Sequence, residues 1–99
     1  MKLEKYAQKV PGQSKGDIFL FALSTCGWCR KTKNLLSELG LEYRYIDVDL
    51  LDAQAKKEVV EEVARWNPSA SYPTIVINNK SIVGFQEDKI RQAVGGGKN

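Results

Sequence analysis

The unbroken apolar run Ile18-Phe19-Leu20-Phe21-Ala22-Leu23 sets the tightest limit on what this chain can fold into. It has strand length and no polar side to turn toward water. A strand of that kind is buried on both faces, so its sheet must be covered on both sides. Directly after it comes Ser24-Thr25-Cys26-Gly27-Trp28-Cys29, which holds both cysteines of the chain. Beyond the cysteines, Thr32, Leu35, Leu36 and Leu39 recur at helical spacing until Gly40. Arg30, Lys31, Lys33, Asn34, Ser37 and Glu38 fill the polar side. Strand, cysteine turn and helix are therefore contiguous.

The rest of the chain supplies partners for that strand. Residues 42–48 alternate aromatic or aliphatic with charged side chains and predict a second strand. Asp49 or Asp52 can cap a second helix, whose apolar face is Val59, Val60, Val63 and Ala64. On it Glu58 repels Glu62, Glu61 attracts Arg65, and Pro68 ends it. Two β-branched runs around Asn78-Asn79 predict a tight hairpin. A last helix begins near Gln86, with Ile90, Ala93 and Val94 as its buried stripe. Trp66 is expected in the core, and Tyr43 and Tyr45 on a sheet face. The first strand-helix-strand unit should be a right-handed parallel crossover. The result is one α/β domain, a four-stranded mixed sheet with helices on both faces. Residues 1–16 form an N-terminal extension, in which Leu3, Tyr6, Ala7 and Val10 have the spacing of a short amphipathic helix before a loop. Residues 95–99 form a flexible C-terminal end.

Two thiols in Cys-x-x-Cys can be a redox pair, half of a metal site, or two small core residues. The chain has no histidine, the commonest zinc ligand, and two cysteines cannot complete a four-thiolate site. Residues three apart at a helix start have Cβ atoms roughly 5–6 Å apart, and a disulfide needs ~3.8 Å, so a small adjustment closes the pair. The unpaired N–H groups of the helix start favour an anionic sulfur at Cys26. Cys29, one turn inside, should be the more buried. Cys26 is thus expected to attack and Cys29 to resolve. Arg30, Lys31 and Lys33 lie in the first turns, where the helix dipole disfavours cations, and are expected to tune the ionisation of Cys26. Trp28 between the cysteines is either a platform for a partner protein or folded back on the domain.

Composition narrows the partners. The 99 residues carry 15 basic and 12 acidic side chains, a net charge of +3 with no basic cluster, which does not suit a nucleic-acid binder. No apolar run approaches the ~18 residues of a membrane span, and the charged start lacks a signal segment. The expectation is a cytoplasmic monomer that binds neither nucleic acid nor membrane.

Cys26-x-x-Cys29 after the first strand, Tyr72-Pro73-Thr74 before the third, and Gly84-Phe85-Gln86-Glu87-Asp88 before the last helix together resemble the glutaredoxins. The likeness covers about residues 17–94 and implies a thioredoxin fold with thiol-disulfide oxidoreductase activity. It implies that Pro73 is cis beside the active-site sulfurs. Proline lacks an N–H, and the Tyr72 backbone is left to pair with an extended substrate. The substrate-binding set would be Gly27, Trp28, Tyr72, Pro73, Thr74, Gly84, Phe85 and Asp88, the last near a helix start that suits a carboxylate or amine of a peptide ligand. Glutathione-using members carry Lys or Arg where this chain has Leu23, and Gly-Gly where it has Gly84-Phe85. Gly-Phe before a charged helix start is similar to the NrdH-redoxins, which reduce ribonucleotide reductase and draw electrons from a thioredoxin-reductase-type enzyme. The resemblance thus implies protein disulfides as substrates, ribonucleotide reductase among them, and no bound cofactor. The electron donor would be such a reductase, a ferredoxin-linked reductase or glutathione. Gly27 stands where some members that bridge an iron-sulfur cluster between subunits have glycine, and the alternative readings are a glutathione-dependent glutaredoxin, a dimeric cluster carrier or a redox-inactive adaptor.

Overall fold

The apolar run becomes β2 (Ile18–Ala22), buried at every position. Its side chains alternate between the two faces of the sheet. Ile18, Leu20 and Ala22 enter one core with Cys29, Leu35 and Leu36 of α1 (Gly27–Glu38) and Ile90 of α3 (Glu87–Gly95). Phe19 and Phe21 enter the other with Val59 and Val63 of α2 (Ala53–Trp66). Burying each such side chain contributes roughly 1.5–3 kcal/mol, so β2 is the structural axis of both cores. The computed structural model describes residues 2–95. The C-terminal end assigned to residues 95–99 therefore lies outside the described residues, apart from Gly95, the last residue of α3.

Among the described residues the sheet has five strands, not the four expected, in the order β1-β3-β2-β4-β5. β2 and β3 (Tyr43–Asp47) are parallel, with Ala22 opposite Asp47. β4 (Thr74–Ile77) is antiparallel to β2, and β5 (Lys80–Val83) to β4. The added strand is β1 (Gln8–Val10), at the outer edge of β3 with Val10 opposite Tyr43. The helix expected over the N-terminal extension is shorter than its apolar spacing suggested. A 3-10 helix covers Lys2–Tyr6, Leu3 anchors it in the α2-side core, and Val10 serves the sheet edge instead.

Other boundaries follow local chemistry. Gly40 has φ +69°, the left-handed conformation that stops α1 just beyond its C-cap, Leu39. Asp52 caps α2 by accepting the Ala55 N–H at 2.8 Å. Asn78 and Asn79, both at positive φ, make the β4–β5 turn. Some expected details change. Ala64 is exposed, and Ala55 is buried on α2 instead. Ala93 is also exposed, which leaves Ile90 and the partly buried Val94 as the inner face of α3. Arg65 pairs with Glu62 at 3.4 Å, not with Glu61. Trp66 is half-buried and donates its indole N–H to Glu62.

Candidate functional site

The site forms where β2 ends and α1 begins. Cys26 is the N-cap of α1, with extended backbone (φ −91°, ψ 120°). Its Sγ accepts the Cys29 N–H at 3.1 Å, so the sulfur occupies the place that a serine or aspartate oxygen usually takes at a helix start. Cys26 is partly exposed and Cys29 is fully buried. Both thiols are free. The Leu23 N–H approaches Cys29 Sγ at 3.5 Å. Burial first, and then the hydrogen bond with Cys26, push the Cys29 thiol up to about 12. The pair therefore offers a partly exposed sulfur at the helix N-cap and a second, buried sulfur held as a thiol at neutral pH.

The loop that carries Cys26 is tied down. Asp49, in the 3-10 turn after β3, accepts the Ser24 N–H at 2.8 Å and the Ser24 hydroxyl at 2.6 Å. These bonds hold the Asp49 carboxyl below the usual carboxylate range. No sequence signal pointed to this pair, because its members lie on different connections and meet only through the parallel β2–β3 register.

Trp28, Tyr72, Pro73, Gly84 and Phe85 line a cleft of about 230 Å³ beside the cysteine turn. The Tyr72-Pro73 bond is cis. Gly84, at φ +81°, donates its N–H to the Pro73 carbonyl at 2.8 Å and so joins the two loops of the cleft. Trp28 is 59% exposed, and its ring stacks on Phe85 with centroids 6.0 Å apart. Trp28 thus faces solvent and leans on the domain through Phe85. Gly27 is exposed at the helix start, and a Cβ there would meet nothing within 4 Å. Asp88 is exposed in the first turn of α3 and does not line the cleft.

Thr74 turns inward. It is fully buried, donating its hydroxyl to Ser71 O at 2.7 Å and lying 3.0 Å from Asn67 Nδ2. Asn67 itself is buried and also reaches the Ser71 hydroxyl and the Ser69 N–H. Asn67 thus fastens the segment that presents Pro73. Its Asn-Pro step marked only a helix end in the sequence. The three cations after the cysteines do not act as one cluster. Lys33 turns to β3, 2.9 Å from Asp47 and 4.3 Å from the centre of the Tyr45 ring. Lys31 lies over the Trp28 ring at 4.9 Å, and Arg30 is exposed. Among the described residues, no group of three or more His, Cys, Asp or Glu side chains is placed to hold a metal ion.

Comparison with known proteins agrees with this geometry. The family profile described as Glutaredoxin matches residues 18–82. The crystal structure of methanoredoxin from Methanosarcina acetivorans is 48% identical, covers 85% of this chain and 90% of its own, and superposes with a TM-score of 0.82. A glutaredoxin structure from Methanosarcina mazei Go1 is 47% identical over 91% of this chain and 88% of its own, with a TM-score of 0.83. Among curated sequences, an uncharacterized glutaredoxin-like 8.6 kDa protein in the rubredoxin operon of Clostridium pasteurianum is 27% identical, covering 78% of this chain and 96% of its own.

Proposed function

The chain belongs to the glutaredoxin family and is a thiol-disulfide oxidoreductase, and from that premise we propose that it reduces protein disulfides through a two-cysteine cycle. The observation that carries this reading is the unequal pair: an accessible Cys26 Sγ at the helix N-cap and a buried Cys29 directly behind it. The Cys26 thiolate attacks one sulfur of a substrate disulfide, and the other leaves as a thiolate. Cys29 then attacks Cys26, the substrate's remaining sulfur departs reduced, and Cys26–Cys29 is left as a disulfide. An external reductant restores the dithiol.

The substrate chain lies in the cleft between Trp28 and the cis Tyr72-Pro73 step. Among the described residues the Tyr72 backbone makes no hydrogen bond, so its N–H and C=O are available to an extended chain. Phe85 occupies the wall beside Trp28, and Leu23 supplies no cation. Both features support a reductase, of the thioredoxin-reductase or ferredoxin-linked type, as electron donor in preference to glutathione. They also make ribonucleotide reductase a substrate to test; the proposed site of action is the cytoplasm.

The test uses the reduced protein and a disulfide-bonded protein substrate. Cys26→Ser is expected to abolish turnover. Cys29→Ser is expected to accumulate a mixed disulfide with the substrate. Sustained dithiol turnover by Cys26→Ser would overturn the assignment of roles. Oxidised protein offered glutathione with its reductase, a thioredoxin-reductase system, or a ferredoxin-linked reductase then identifies the donor; fastest reduction by glutathione would overturn that part of the reading.

A further inference from the structure

The second step asks a buried thiol to become a nucleophile. Cys29 shares its core with Leu20 and Ala22 of β2, Ile75 of β4 and Ile90 of α3, all apolar, and burial there opposes a charge. Few titratable groups act on it. Cys26 raises its proton affinity twice, through their hydrogen bond and, when ionised, through charge. Tyr72, packed against the same core, is pushed up by burial and by Cys29. On the favourable side stand the Leu23 N–H and the Lys33 ammonium.

Lys33 follows Cys29 by one turn of α1, on the same side of the helix. Its Nζ is held by the Asp47 carboxylate at 2.9 Å and the Tyr45 ring at 4.3 Å, and the Lys33 and Asp47 side chains are only 25% and 15% exposed. Asp47 lies opposite Ala22 in the parallel register, and Ala22 packs in the Cys29 core. Helix period and strand register thus bring the ion pair to the Cys29 side of α1 by separate routes. We propose that Lys33, clamped by Asp47 and Tyr45, is a positioning charge for the second step of the cycle, stabilising the Cys29 thiolate once Cys26 is engaged in a mixed disulfide.

This inference rests on the two-cysteine reading, and the chemistry orders the steps. Burial and the hydrogen bond with Cys26 hold Cys29 protonated, and a charge on Cys26 adds to this. In the mixed disulfide, Cys26 Sγ is bonded to the substrate sulfur and carries no charge. Its charge no longer opposes the Cys29 anion, while Lys33 and the Leu23 N–H remain. Cys29 releases its proton to solvent, and its thiolate attacks Cys26 Sγ. The bond from Cys26 to the substrate sulfur breaks, the electron pair leaves on that sulfur, and solvent protonates it. One S–S bond replaces another: Cys29 is oxidised and the substrate sulfur reduced, with no external electron.

An aromatic disulfide that yields a coloured thiolate at each step, 5,5′-dithiobis(2-nitrobenzoate), separates the two in a stopped-flow trace of the reduced protein. The first phase is attack by Cys26 and the second is release by Cys29. Lys33→Met is expected to slow the second phase about tenfold relative to the first and to move its pH midpoint up by about one unit, the two being equivalent. Lys33→Arg should restore both. Removal of Lys33 also uncovers Asp47, so Lys33→Met with Asp47→Asn isolates the missing cation; it should remain slower than wild type. A wild-type second phase and pH midpoint in Lys33→Met, or in the double variant, would overturn the proposal. Absence of a second phase in the wild-type protein would instead overturn the two-cysteine reading, whatever Lys33 does.

Discussion

Cys29 Sγ lies beneath Cys26, and its thiol is raised to about 12 chiefly by burial. An unfolded cysteine ionises near ~8.5. Below that pH both states carry the proton and the folded dithiol keeps its full stability. Above it, the unfolded chain gains by ionising and the folded chain does not, until pH passes the folded value. The reduced protein should therefore lose up to ~1.4 kcal/mol per pH unit from about pH 9 upward. The oxidised protein has no such group, so denaturant melts of the two forms, compared between pH 8 and 10, isolate the effect. Asp49 behaves in the opposite sense. Ser24 holds its carboxyl below the usual range, so its contribution is complete above ~pH 4 and is lost as pH falls through the folded value. Asp49→Asn should remove that acid sensitivity from the wild-type melting profile. The unequal burial of the two cysteines was legible at this scale because helix position sets it. The Ser24–Asp49 tether and the turn of Lys33 toward Asp47 were not, since both depend on which strand lies beside which.

At the scale of elements, the segment between α2 and β4 shows how a buried side chain holds a loop that lines the cleft. Asn67 Nδ2 lies within hydrogen-bonding distance of Ser71 and Thr74, and Asn67 Oδ1 accepts the Ser69 N–H. Asn67→Ala removes the buried amide from the Thr74 hydroxyl, which keeps its bond to Ser71 O, at a cost of about 1 kcal/mol. The expected result is a lowered denaturation midpoint together with weaker substrate binding, read as a raised KM, because the loop carries Tyr72 and Pro73. The cleft wall makes a second prediction. Phe85→Gly recreates the Gly-Gly step of glutathione-using relatives and removes the ring on which Trp28 stacks. Turnover of glutathione mixed disulfides should rise and turnover of a protein disulfide should fall, each measured as kcat/KM. Helices and the hairpin were readable from spacing and from Asn78-Asn79. β1 was not, because Gln8-Lys9-Val10 is too short for any period to emerge, and its strand character comes from the β3 edge that it covers.

Across the whole molecule, the N-terminal extension is part of the fold and not an appendage. Leu3 is 1% exposed in the α2-side core, and Arg44 of β3 lies 3.8 Å from Glu4 and 3.6 Å from Asp17. Leu3→Ala should cost about 2–4 kcal/mol by denaturant titration, whereas added salt should change little, since the ion pairs are exposed. Deleting residues 1–10 uncovers the β3 edge, and light scattering should then rise with protein concentration. No described helix is long and apolar enough to cross a membrane. β2, buried on both faces and hydrogen-bonded to a strand on each edge, has a consequence for motion. Its amide hydrogens can exchange with solvent only when the domain opens as a whole. Cys26 lies only four residues beyond the end of this strand. The amides of Phe19, Leu20 and Phe21 should therefore stay protected throughout the proposed cycle, whatever partner Cys26 engages.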